Sequence, residues 1–343
     1  MALNADLESV LAPYLTMGSV VTLSISTLSV LLLLYGSNAF FFRAFTRMLS
    51  YRYTGIYIVV FGLAVHILLR RDPGGTSKLY LPCTVALFVL GTIFVVLEVW
   101  GYSLQASILF SGAADKNYPL AFKYLTQDDR KTAWNSAASI ISTLMNSIAD
   151  AMLIHRCYVI WNSNKLILYP LALVTIVLNS IDLGSIVALT IGLSDTSKSS
   201  KYRLYERASK VDLGAVIAIA AFQLLLALMT GAGIWWITRQ ARLTMGRPTT
   251  TRYKAIVAIV IESGLLYAAT LLGYVIQLRV LDSTAHGVIP FNPHVLVAMM
   301  SGLAPTTIIV RVAYRKSVDS VPQMISTLQF APAKEDEEKS STV

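Results

Sequence analysis

Charged side chains are scarce in this chain. Only 14% of its 343 residues are Asp, Glu, Lys or Arg, against 55% hydrophobic residues. A water-soluble domain carries roughly 25% charged residues, so this chain lacks the polar surface a globule in water needs. Cysteine is equally rare: Cys83 and Cys157 are the only two, both inside or at the edge of apolar runs. They provide neither a disulfide frame for external loops nor a metal cluster. The sequon Asn-x-Ser/Thr is absent. So are His-Glu-x-x-His, Gly-x-Ser-x-Gly and the phosphate-loop pattern, and the chain has four histidines. The reading is therefore a non-enzyme with no cofactor and no metal. The last apolar segment holds no lysine, which excludes a retinal Schiff base of the microbial rhodopsin kind.

What the chain has instead is apolar runs of about twenty residues, without the three-to-four spacing of an amphipathic surface helix. Eight are visible: Met17–Gly36, Thr54–Leu69, Leu81–Ser103, Ala133–Trp161, Leu166–Leu193, Val211–Thr238, Ala255–Gln277 and Pro293–Val310. Most reach the ~20 residues that cross a ~30 Å hydrocarbon core; Thr54–Leu69 is short. The alternating pattern of a membrane barrel is missing. The expected fold is all-α, a polytopic transmembrane helix bundle over residues 17–316. A short tail (1–16) precedes it and a polar, disordered tail (317–343) follows. Asp6 and Glu8 without a nearby Lys or Arg argue against a cleavable signal peptide.

The net charge of +9 sits in short loops rather than in a patch interleaved with aromatics, so membrane orientation explains it and nucleic acid is not expected as a partner. Loop Arg239–Lys254 holds five basic residues and is placed in the cytoplasm. Counting outward from it, cytoplasmic edges carry thirteen Lys and Arg and the opposite edges ten, with Asp195–Lys210 as the dissenting loop. The C-terminus is then cytoplasmic, and the plasma membrane is preferred to an internal one.

The run Ala149-Asp150-Ala151-Met152-Leu153-Ile154-His155-Arg156-Cys157-Tyr158-Val159-Ile160-Trp161 resembles the end of the third helix in a family of seven-helix integral membrane proteins of mushroom-forming fungi. Ile261-Glu262-Ser263-Gly264-Leu265-Leu266-Tyr267 and Gly302-Leu303-Ala304-Pro305-Thr306-Thr307-Ile308-Ile309-Val310-Arg311-Val312 agree with it in order and spacing. The similarity covers about residues 54–316 and implies a receptor-like, seven-helix core; no ligand or activity carries over. The chain departs at its start. In the family the first helix resembles Leu31–Gly36 joined directly to Ile56–Phe61, whereas here Ser37–Gly55 intervenes. These 19 residues place Arg43, Arg47 and Arg52 on the outer face if both flanking runs span, against the usual bias. They are read as an insertion, translated from an unspliced intron, or as an interfacial helix if retained.

Four carboxylates lie inside apolar runs: Glu98, Asp150, Asp182 and Glu262. An ionised carboxylate in hydrocarbon is costly, so each faces the interior, pairs or is protonated. Ser139, Thr143 (or Ser142), Asn146 and Asp150 recur every three or four residues as one polar stripe. Asp150, Glu262, Asn146, Asp182 and Glu98 are thus candidates for binding an ion or small ligand, with hydrogen-bonded helix packing as the plainer alternative. Arg156 and Tyr158 occupy the place of a receptor's cytoplasmic switch. However, His155 stands where an acid would precede the arginine, and a snorkelling Arg156 beside Tyr158 and Trp161 is the favoured reading. The function expected is a receptor-like or sensory membrane protein with a small ligand and a signalling partner at 239–254. A small-solute or proton-coupled transporter using the buried carboxylates is the alternative.

Overall fold

The computed structural model describes residues 23–35, 56–70, 77–115, 118–195, 198–245, 264–277 and 292–329, and no strand occurs among them. The helices are α1 (Leu23–Tyr35), α2 (Ile56–Arg70), α3 (Ser77–Ala114), α4 (Tyr118–Gln127), α5 (Asp129–Ile160), α6 (Lys165–Leu193), α7 (Ser199–Met245), α8 (Gly264–Ile276) and α9 (Pro293–Gln329). Five of them are long and apolar enough to cross a bilayer, over Leu79–Gly112, Phe122–Ile160, Lys165–Leu193, Ser199–Ile237 and Pro293–Arg311. Helices α1, α2 and α8 are apolar but shorter as described. The described part of the chain is helical without strands, and its five apolar helices of membrane-crossing length make this a membrane-embedded protein.

Lipid exposure follows from where the apolar side chains point. Only 28% of the apolar window of α6 is buried, and Leu166, Leu173 and Ile176 are 80%, 63% and 64% exposed. A soluble protein does not present such a face to water; hydrocarbon accepts it. The opposite side is packed. Leu31, Leu34, Tyr57, Leu87, Phe94, Met145, Met152, Val295 and Met299 form one core joining α1, α2, α3, α5 and α9.

Helices α1 and α2 occupy one groove. Both pack against α3 and α9, but at different depths. At the start of α1, Thr27 Oγ1 accepts from the Asn292 amide at 2.9 Å. At its end the Tyr35 hydroxyl meets Thr92 Oγ1 at 2.6 Å. There α2 takes over, with Phe61 stacked on Phe88 at a centroid distance of 3.9 Å. The buried positions are Ser24, Thr27, Leu31 and Leu34 on α1 and Tyr57, Ala64 and Leu68 on α2. If Ile56 followed Gly36 directly, they would succeed one another at steps of three, four, three, four, seven and four. That is the register of a single helix face. Ser37–Gly55 itself lies outside the described residues.

Several elements outrun their apolar segments. Helix α7 starts at Ser199, so most of the expected loop Asp195–Lys210 is helical. The Glu206–Lys210 pair, Oε1 to Nζ at 2.8 Å, supports this exposed turn at i,i+4. The stretch Ser111–Thr132 contains the amphipathic α4, and Asp128 caps the next helix by accepting from the amides of Arg130 (2.7 Å) and Lys131 (3.0 Å). Helix α9 continues to Gln329, so the segment from 317, read as a disordered tail, begins as helix; nothing in the local backbone pattern stops it at the membrane edge. The tight turn between α5 and α6 places Asn162 and Ser163 at φ 56° and 58°. The Ser163 amide there bonds the Tyr158 carbonyl at 2.9 Å, closing the end of α5.

Candidate functional site

One end of the bundle encloses a cavity of about 660 Å³ between α5, α6, α7, α8 and α9. Its lining on α5 is Asn135, Ser136, Ser139, Ser142, Thr143 and Asn146; Ser139, Ser142, Thr143 and Asn146 are of the expected polar stripe, while its Asp150 is not in the lining. Because 3.6 residues make a turn, these positions share one face, and that face opens on the cavity. The opposite walls bring Asp182 from α6, Tyr205, Glu206, Lys210 and Asp212 from α7, Tyr267, Tyr274 and Gln277 from the α8 segment, and His294 from α9. On α5 the lining reaches no deeper than Asn146.

The floor is a hydrogen-bonded relay. The Tyr267 hydroxyl donates to Asn146 Oδ1 at 2.6 Å, and Asn146 Nδ2 reaches Asp150 Oδ2 at 3.4 Å. Gln223 Nε2 donates to Asp150 Oδ1. Asp150 is 2% exposed and is held by carboxamides, not by a cation. Both its oxygens are engaged, which is what keeps a carboxyl group tolerable at this depth.

A second cluster lies nearer the helix ends. Thr143 Oγ1 donates to Asp182 Oδ2 at 2.6 Å. Ser185 Oγ lies 2.7 Å from the Asp182 carbonyl and 2.9 Å from Asp212 Oδ1, tying the two acidic positions together. Among the described residues neither Asp182 nor Asp212 has a basic partner; the ion pairs there are Lys198–Asp195 and Lys210–Glu206.

The structure therefore brings together Asn146, Asp150 and Asp182 and leaves Glu98 apart. Glu98, 2% exposed, is outside the cavity lining, and its Oε2 is buried without a partner among the described residues. Glu262 lies outside the described residues. Asp212, Ser185 and Gln223 were not expected. Gln223 was visible as a carboxamide within an apolar run, but Asp212, one residue inside a segment boundary, reads as loop edge until α7 is seen to start at Ser199.

At the other end of the bundle Arg156 does not snorkel outward. Its Nη2 donates to the Pro305 carbonyl at 3.1 Å, and the guanidinium sits 5.4 Å from the Tyr80 ring centroid. The Tyr80 hydroxyl meets His155 Nδ1 at 3.0 Å. A carbonyl lone pair and an aromatic ring inside the bundle hold the guanidinium, while its Nη1 is buried without a partner among the described residues. Tyr158 is half-buried and takes no part in this contact. Nearby, Cys157 Sγ meets Thr230 Oγ1 at 2.9 Å and Trp161 Nε1 donates to the Met229 carbonyl at 3.3 Å, joining α5 to α7. The basic segment 239–254 begins as the end of α7, with Arg239 over the Trp235 ring at 5.9 Å; residues 246–254 lie outside the described part.

No model of a known protein family matches the chain, and neither a characterised protein nor a solved structure shows significant similarity to it.

Proposed function

We propose that this is a seven-helix, receptor-like protein of the plasma membrane, of the kind the three fungal-family motifs resemble, and that its cavity holds a small ligand. The single observation that carries the reading is the one-sided cavity. Every lining residue lies in the same half of the bundle, while Arg156–Pro305, Cys157–Thr230 and Trp161–Met229 tie the helices together in the other half. A pocket of this volume, with a few convergent polar groups, has the dimensions of a small-molecule site. Counting α1 and α2 as two halves of one span gives seven, because they share a groove and a helical phase. An outward-facing pocket and a cytoplasmic surface at 239–254 for a signalling partner complete the arrangement.

The alternative is a proton- or solute-coupled carrier, favoured by the acidic side chains that descend from Asp212 through Asp182 to Asp150. Reconstitution into sealed vesicles separates the two. A receptor gains thermal stability from a ligand in a small-molecule screen and passes no solute. A carrier shows flux, and Asp150→Asn reduces it. Loss of ligand stabilisation in Ser139→Phe, which fills the pocket from α5, ties the effect to this cavity.

A further inference from the structure

Several hydroxyl hydrogens of the cavity wall are committed to the protein itself. Ser139 Oγ donates to the Asn135 carbonyl at 2.9 Å. Thr190 Oγ1 donates to the Ile186 carbonyl at 2.8 Å, so the Ser136 hydroxyl, 2.7 Å away, must donate to Thr190. The Thr143 hydroxyl goes to Asp182, the Tyr267 hydroxyl to Asn146, and Asn292 Nδ2 to the Tyr102 oxygen at 2.8 Å. A hydroxyl has one hydrogen and two lone pairs. Once that hydrogen is committed to the protein, what remains facing the space is an acceptor.

The unspent groups have the same character. Thr143 engages one oxygen of Asp182, the single Ser185 hydrogen is shared between the Asp182 carbonyl and Asp212 Oδ1, and neither carboxyl has a basic partner among the described residues. Gln277 lines the cavity, and its Oε1 is buried without a partner among the described residues. Lys210 is the one lysine in the lining, and its charge is balanced by Glu206 at 2.8 Å, in a pair more than half exposed. The rings of Tyr205, Tyr267 and Tyr274 complete the wall, and aromatic faces attract cations. Two carboxylates with no basic partner among the described residues, beside hydroxyls that present lone pairs and three tyrosines, are complementary to a cation. An anion would meet repulsion, and a neutral guest would leave the carboxylates uncompensated.

Building on the reading of this cavity as a ligand pocket, we infer that its ligand is a small organic ammonium ion, seated with its N–H donors on Asp182 and Asp212 and its body against the tyrosines.

The test uses the full chain purified in lipid, at fixed ionic strength, with thermal stabilisation as the readout. The probes are 2-phenylethylamine and tryptamine, the neutral isostere 2-phenylethanol, and the anion phenylacetate. The expected result is that the amines stabilise the protein with at least about tenfold higher affinity than the alcohol, while phenylacetate gives no shift. Asp212→Asn and Asp182→Asn each lower the amine affinity by about tenfold or more. Their alcohol response is unchanged, which shows that the pocket is intact. Stabilisation by the alcohol or by phenylacetate equal to that by the amines overturns the cation assignment and leaves the ligand pocket standing. Amine stabilisation that survives both substitutions also overturns it, by placing the amine elsewhere. No shift with any probe overturns the cation assignment and the pocket reading together.

Discussion

The rings of Tyr35 and Tyr57 lie 6.1 Å apart, centroid to centroid, although Ser37–Gly55 separates them in the chain. With those residues removed the two tyrosines become positions i and i+3, neighbours on one helix face whose Cβ atoms stand about 5–6 Å apart. The two rings meet in the core that joins α1 and α2 to α3, α5 and α9, as the one-span proposal requires. The 13 and 15 residues of α1 and α2 give a combined length of roughly 40 Å, enough to cross the bilayer once.

Deleting Ser37–Gly55 is therefore expected to leave a folded protein with a melting temperature equal to or above that of the full chain. Joining the halves removes a loop-closure cost and restores the backbone bonds between α1 and α2. Circular dichroism and thermal melts of the purified deletion check this, and failure to insert or fold refutes the one-span reading. Sequencing the mature transcript tests the intron reading separately: a message that always retains the segment refutes it.

Asp150 should behave as the acceptor of two carboxamide donors. Asp150→Ala strands the Gln223 and Asn146 amides and is expected to cost about 2–4 kcal/mol. Asp150→Asn retains an acceptor oxygen and should cost about half as much or less. Unfolding in denaturant measures both. If Asp150→Asn also changes how stability responds to Na⁺, the group binds an ion; an unchanged response leaves packing as its role.

Arg156 ties α5 to α9 through Pro305. Arg156→Ala is expected to cost about 1.5–3 kcal/mol, the range for a hydrogen bond from a charged group. Arg156→Lys should recover little of it, because an ammonium cannot bond the carbonyl and lie flat on Tyr80 together. Tyr80→Phe keeps the ring and loses the hydroxyl contacts to His155 and Arg156, so a loss of about 1–1.5 kcal/mol is expected. Equal losses in all three would count against the geometry.

Two glycines on α6 make a matched pair. A Cβ at Gly192 would stand 2.8 Å from the backbone of Tyr205, which cannot move without shifting α7 at the cavity mouth. Gly192→Ala should cost about 1–3 kcal/mol. At Gly184 nothing lies within 4 Å, so Gly184→Ala should be neutral or gain up to about 1 kcal/mol from helix propensity. The contrast in melting temperature is the measurement.

Orientation is checked by single cysteines at Thr250 and Ser341 in intact cells. Both should resist an impermeant thiol reagent, and labelling at either reverses the cytoplasmic assignment.

Composition alone determined the solvent of this protein. With so few charges and apolar runs about a membrane thick, lipid-facing helices were the only way to satisfy the backbone, and the helices appear where the runs do. The polar stripe from Ser139 to Asp150 was legible too, because helical periodicity is a local property and fixes which side chains share a face. What faces that stripe was not legible. Asp182, Asp212, Gln223 and Tyr267 come from other helices, and their meeting depends on how those helices pack, which no local spacing encodes. Arg156 shows the same limit. Sequence gave it a position at a helix end, where snorkelling to water is the default for a long cationic side chain. Only the packed bundle supplied the inward alternative, by bringing the Pro305 carbonyl and the Tyr80 ring within its reach.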